Sequence, residues 1–101
     1  MIKVIYRWRI DPDRQSDFAS WWHDGTLRIR SSRQGALGST LCRPTGDDEH
    51  LVAVARWESQ EDLVEFWKEP AGSTFEGAHL ESAEIFDELD DLTVDNSRTD
   101  P

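Results

Sequence analysis

The first ten residues alternate. Ile2, Val4, Tyr6, Trp8 and Ile10 share one side of an extended chain, and Lys3, Ile5, Arg7 and Arg9 share the other. A period of two built from β-branched and aromatic residues predicts a strand with one buried face. The rest of the chain must then supply neighbours for this strand and a cover for that face. With 101 residues, it has to do so within one domain around one modest core.

The remaining pattern supplies those parts in order. Asp11-Pro12 ends the strand and suits a helix start, Asp as N-cap and Pro in the first turn. Phe18, Trp22, Gly25 and Ile29 then fall on one helical stripe, with Trp21 at its edge, until Ser31, Ser32 and Gly35 stop it. Residues 36–43 read as a second strand in which Gly38 hints at a bulge. Turn chemistry at 44–49 leads to the apolar strand 50–57, read as central and covered on both faces, and the two strands form a hairpin. Ser59 with Asp62 resembles a capping box ahead of the stripe Leu63, Phe66 and Trp67, and Lys68 and Pro70 mark the stop. After a Pro70-Ala71-Gly72 loop, Ser73 with Glu76 predicts a short helix through Phe75, Ala78 and His79. Residues 82–94 carry Ile85, Phe86, Leu89, Leu92 and Val94 among acids, which predicts a final edge strand protected by charge. Residues 95–101 form a polar tail beyond a single domain at 1–94.

Strand, helix, strand, strand, helix, strand is the split βαβ order of an α+β ferredoxin-like fold. It predicts a four-stranded antiparallel sheet with both helices on one face. The bare face of so small a domain needs a cover, most simply a second copy.

Composition narrows the function. There are 11 Lys and Arg against 21 Asp and Glu, a net charge of −10. Residues 57–101 hold fourteen of the acids and only two basic residues. Such a chain repels polyanions, and Leu51 to Ala55 of its apolar strand carry neither basic residues nor exposed aromatics for RNA, so no nucleic-acid partner is expected. The longest apolar run is a few residues, too short to span a bilayer, and charges interrupt the N-terminal stretch that a secretory signal would need. Cys42 is the only cysteine, which excludes an intrachain disulfide and suits the cytoplasm. In a strand it reads as a small buried hydrophobe. The histidines His23, His50 and His79 share no ligand spacing, so no metal site is expected. His50 reads as solvent-facing and His23 as either facing water or lining the edge of a cleft, whereas His79 follows Phe75 by one helical turn and points inward, either as a hydrogen-bonded core residue or as a general base.

The aromatics are the other candidates. Five Trp, four Phe and one Tyr exceed what filling this core requires. Trp8, Trp22, Phe66, Trp67 and Phe75 come from the first strand and the helical layer that faces it. They are core or the walls of a flat cleft suited to a polycyclic ligand. Tyr6 shares the face of Trp8 and offers a phenol to that cleft.

The element order, the Gly35-Ala36-Leu37-Gly38-Ser39 entry to the second strand, and Leu51 to Ala55 running through Arg56-Trp57-Glu58-Ser59 into the second helix resemble the antibiotic biosynthesis monooxygenase (ABM) domain over about residues 1–94. The resemblance implies two ferredoxin-like subunits paired sheet to sheet as a dimeric α+β barrel, each with a ligand cleft between sheet and helices. Some members of that family oxygenate aromatic polyketides such as anthrones without metal or flavin. For this chain that implies an oxygenase needing no cofactor, with His79 as base, Tyr6 as hydrogen-bond donor, and Trp8, Trp22, Phe66, Trp67 and Phe75 as substrate-binding walls. A related branch binds and degrades haem with a strand-one Asn, a second-helix Trp and an axial His. Trp67 and His79 fall near the last two, and Tyr6 stands near the first, a departure from that pattern. Haem, with His79 as its ligand, is the alternative cofactor, and a non-enzymatic small-ligand or stress-response domain is the alternative function.

Overall fold

The computed structural model describes residues 1–69 and 75–93. Strand β1 (Ile2–Ile10) passes through a 3-10 turn (Pro12–Arg14) into helix α1 (Gln15–Ser32). Strands β2 (Ala36–Cys42) and β3 (His50–Trp57) follow, then helix α2 (Gln60–Trp67) and strand β4 (Ala78–Asp87). The strands form one antiparallel sheet in the order β2-β3-β1-β4. This is the ferredoxin-like α+β fold that the sequence predicts.

The alternation of β1 sets the core. Ile2 and Val4 join Ala55 and Trp57 of β3 and Leu63 of α2 in one buried cluster. Ile10, Phe18 of α1 and Leu51 form a second, with Trp8, Trp21, Trp22 and Phe75 packed around it. Phe18 and Leu63 are fully buried, each contributing about 1.5–3 kcal/mol through the apolar area it hides. Both helices therefore lie on one face of the sheet.

Local signals act as expected at two places. The Ser59 hydroxyl accepts from the Asp62 N–H at 3.1 Å and caps α2. Gly38, with φ +105°, sits at a register shift between β2 and β3. The start of α1 is different. The Asp11 side chain makes no capping bond, and the Asp11 carbonyl instead accepts from the Arg14 N–H at 2.9 Å. Buried Gln15 anchors the helix. Its Nε2 donates to the carbonyls of Ile10 (3.2 Å) and Asp48 (2.7 Å), while its Oε1 accepts from Arg43 Nε and Nη2.

Several expectations change. The short helix through Phe75, Ala78 and His79 is replaced by a turn at Glu76-Gly77 and the start of β4. Gly77 adopts φ +92°, which breaks a helix and admits the turn. Strand β3 lies inside the sheet, but only its helix face is buried; His50, Val52, Val54 and Arg56 on the other face are half-buried. Cys42 is exposed, because it lies at the end of edge strand β2 on that uncovered face, paired with Val52. The loop at 70–72, Ser73, Val94 and the tail at 95–101 lie outside the described residues. No described helix is long and apolar enough to cross a membrane.

Candidate active site

A shallow cleft opens between the sheet and the helices. Small residues make the space: Ala36, Gly38 and Ser39 on β2 and Ala55 on β3 leave the sheet low where α1 passes over it. Trp57 and Phe66 form an aromatic wall, their rings stacked at 5.3 Å and 29°. Thr26, Ile29 and Arg30 supply the α1 side. Tyr6 lines the cleft from the middle of the sheet.

Tyr6 is held from two directions. Its ring stacks on Trp8 at 5.6 Å and 20°, as neighbours two apart on one strand face can. Its hydroxyl oxygen accepts from Trp67 Nε1 at 3.2 Å. Burial pushes the phenol above its ordinary 10.0, and the bond from Trp67 offsets part of that rise. The phenol therefore remains protonated through neutral pH. Because the oxygen already accepts from Trp67, its own proton is left to donate to a ligand.

The structure brings only part of the predicted set together. Tyr6 and Phe66 line the cleft, Trp67 contacts Tyr6 from outside it, and Trp8 supports Tyr6 from behind. Trp22 and Phe75 pack in the second core cluster instead. Phe75 lies edge-on to Phe18 at 5.4 Å, with the Arg14 guanidinium over its ring. His79 is exposed on β4 opposite Arg9, on the sheet face turned away from the helices. It is one residue past Ala78, which pairs with Ile10, and each step along a strand changes face. The geometry does not bring it to the cleft.

Trp57 is a wall that sequence reasoning missed. Period two through Leu51, Ala53 and Ala55 would have found it, since these share its buried face.

The sequence profile of the antibiotic biosynthesis monooxygenase family matches residues 1–75. The chain belongs to that family. No curated protein matches this ABM chain. Among solved structures it is similar to the heme-degrader MhuD from Mycobacterium tuberculosis, described with two hemes bound in its active site. The TM-score is 0.76 at 20% identity, over 91% of this chain and 99% of MhuD. It is also similar to SnoaB, a cofactor-independent oxygenase from Streptomyces nogalater (TM-score 0.62, 18% identity, 90% and 95% covered). A third is a putative antibiotic biosynthesis monooxygenase from Deinococcus radiodurans (TM-score 0.69, 7% identity, 93% and 98% covered). At these identities the likeness establishes the fold.

The donor set of this ABM domain does not fit haem held by a histidine in the cleft. All three histidines are described, and none lines it. His23 is exposed on α1. His50 lies on the uncovered sheet face, with Nδ1 2.7 Å from Asp47 Oδ2 and Nε2 3.1 Å from Glu81 Oε1. Its side chain is only 12% exposed, against the solvent-facing position its sequence context predicts. Glu81 reaches it because β4 bulges opposite Arg7 and Trp8, which also sets Glu81 near Arg7 and Arg9. Among the described residues no cluster of His, Cys, Asp and Glu could hold a metal ion.

Proposed function

We propose that this ABM protein is a cofactor-independent oxygenase of a small, flat aromatic substrate such as an anthrone. The observation that carries the reading is Tyr6: a protonated phenol in an aromatic-walled cleft, oriented by Trp67 and with its proton available. An anthrone loses a proton to become an electron-rich enolate. The enolate passes an electron to dioxygen, the two radicals join at carbon, and the peroxide loses water to leave a carbonyl. One CH2 and one O2 thus become one C=O and one H2O. Tyr6 donates to the oxygen on which negative charge collects, and a donor placed in advance is worth about 2.7–4 kcal/mol in such chemistry. The described cleft lining carries no carboxylate or histidine, so the substrate's own acidity and solvent at the open mouth account for the first proton.

The uncovered sheet face supports a homodimer. Ile5, Val52, Val54 and Phe86 share it with the ion pairs of Arg7, Arg9 and Arg56. A second copy laid sheet to sheet would cover that apolar strip and leave the cleft, on the opposite face, open to ligand.

The test is oxygen uptake and quinone formation with an anthrone, on wild type and Tyr6→Phe. Wild type should consume one O2 per quinone, and the variant should lose about 100- to 1,000-fold in rate while binding the substrate nearly as well. Binding with no oxygen uptake by wild type would make this a ligand-binding domain and overturn the oxygenase reading.

A further inference from the structure

The arginines of the sheet are matched to acids with some thoroughness. Arg7 and Arg9 meet Asp47, Glu49 and Glu81, and Arg56 meets Glu88 and Asp91. Elsewhere, Arg33 meets Glu69, and Arg43 is held by Gln15. Arg30 is different. Among the described residues it makes no ion pair, although the chain carries 21 acids. It also lines the cleft, with its side chain lying across Gly38: a Cβ built there would stand 3.7 Å from Arg30 Cδ. Arg28 likewise makes no described ion pair, but it does not line the cleft.

A second observation lies beside it. The Ser39 hydroxyl, next to Gly38 and part of the same lining, is buried and has no hydrogen-bond partner. Buried polar groups are nearly always satisfied. An unpaired guanidinium by Gly38 and an unsatisfied hydroxyl on the next residue, in an aromatic-walled cleft, mark where a ligand's polar end would sit. Arg56 also reaches the lining, but Glu88 and Asp91 already balance its charge. Arg30 is therefore the net positive group of the site, on a chain whose overall charge repels anions.

We propose that the cleft takes an aromatic carboxylate, its ring against Trp57 and Phe66 and its carboxylate received by Arg30. The proposal rests on the aromatic-cleft reading above and names the chemical class of the substrate. A guanidinium binds a carboxylate through two parallel N–H···O bonds, a geometry that selects the acid over its amide. Gly38 matters because it leaves the Arg30 stem lying close over β2, with Cδ and Nε 3.7 and 4.0 Å from a Cβ built there, so that an exposed arginine lies along the cleft. Tyr6, at the sheet side, remains free for the reacting end.

The experiment is calorimetric titration of anthracene-2-carboxylate and of anthracene-2-carboxamide into wild type, Arg30→Gln and Arg28→Gln. Wild type should bind the acid about tenfold more tightly than the amide. Arg30→Gln should bring the ratio of acid to amide affinity close to one. Arg28→Gln removes the same charge from the same helix and should keep the preference. Equal binding of acid and amide to wild type overturns the proposal and leaves the aromatic cleft standing. A preference that survives in Arg30→Gln, or is lost equally in Arg28→Gln, overturns it as well. Failure of wild type to bind either compound overturns the cleft reading itself, and this proposal with it.

Discussion

Trp67 Nε1 donates to the Tyr6 hydroxyl across 3.2 Å, joining the last residue of α2 to the middle of β1. Tyr6 is the only tyrosine in the chain, so its ionisation can be followed without overlap in the near-ultraviolet tyrosinate band. Burial raises its pKa and the bond from Trp67 lowers it. Trp67→Phe should therefore move the titration further up. The sign for stability follows: the contribution of the buried phenol is fully present below 10.0 and is lost as pH rises through the higher folded value. A titration that moves down in Trp67→Phe would show that the bond does not act as described.

Carboxylates on the uncovered face act in the opposite pH range. Arg56 holds Glu88 below its ordinary 4.5. The Thr93 hydroxyl and N–H hold Asp91 below 3.8, and the Glu49 N–H does the same for Asp47. Their stabilisation is present above those ordinary values and is lost as pH falls through the lower folded ones. The thermal midpoint should fall on acidification below 4.5, and less steeply in Glu88→Gln. Equal slopes for the two proteins would remove Glu88 from the account.

Gly35 combines two constraints. It adopts φ +81°, and a Cβ there would run into the Asp62 side chain at the start of α2. Gly35→Ala should lose about 1–3 kcal/mol in chemical denaturation, from backbone strain and the collision together. Adding Asp62→Ala should recover only the collision. Full recovery would mean that the backbone conformation costs nothing.

Gln15 ties three segments together through one amide group. Gln15→Ala leaves the carbonyls of Ile10 and Asp48 and the Arg43 guanidinium without that partner. The expected loss is about 1–3 kcal/mol in urea unfolding, with ligand binding unaffected in the cleft, whose α1 lining lies further along the helix at Thr26, Ile29 and Arg30. An unchanged unfolding midpoint would show that water replaces the amide freely.

The sheet-to-sheet dimer makes a separate prediction. Val54 sits among Ile5, Thr40 and Glu84 on the uncovered face. Val54→Asp puts a charge in the middle of that face and should shift the light-scattering mass from dimer to monomer. A wild-type protein that is monomeric at micromolar concentration would count against the dimer directly.

The candidate site was only partly legible in the sequence, for a reason visible at His79 and Trp22. Both were placed by helical spacing from a neighbouring aromatic. For His79 that spacing had no helix to act on, because Gly77 turns the chain with positive φ and begins β4. Trp22 does lie on α1, yet it packs against the second core cluster, while the cleft opens further along the same stripe at Ile29, with Thr26 and Arg30 beside it. Tyr6 and Phe66 do line the cleft, because a strand's alternation and a capped helix each fix which side a residue occupies.

The strand alternation, the Ser59 cap and the glycine and proline stops are local signals. They were sufficient for the order of the four strands and the two long helices, and that order for the ferredoxin-like topology, since few ways exist to pair four such strands under two helices. Three facts belong to the tertiary structure alone: the hydrogen bond between residues 6 and 67, the small-residue floor that opens the cleft, and the unpaired Arg30 beside it. Each depends on distances between segments far apart in the chain, and a one-dimensional pattern records a residue's own face and not what packing leaves across from it.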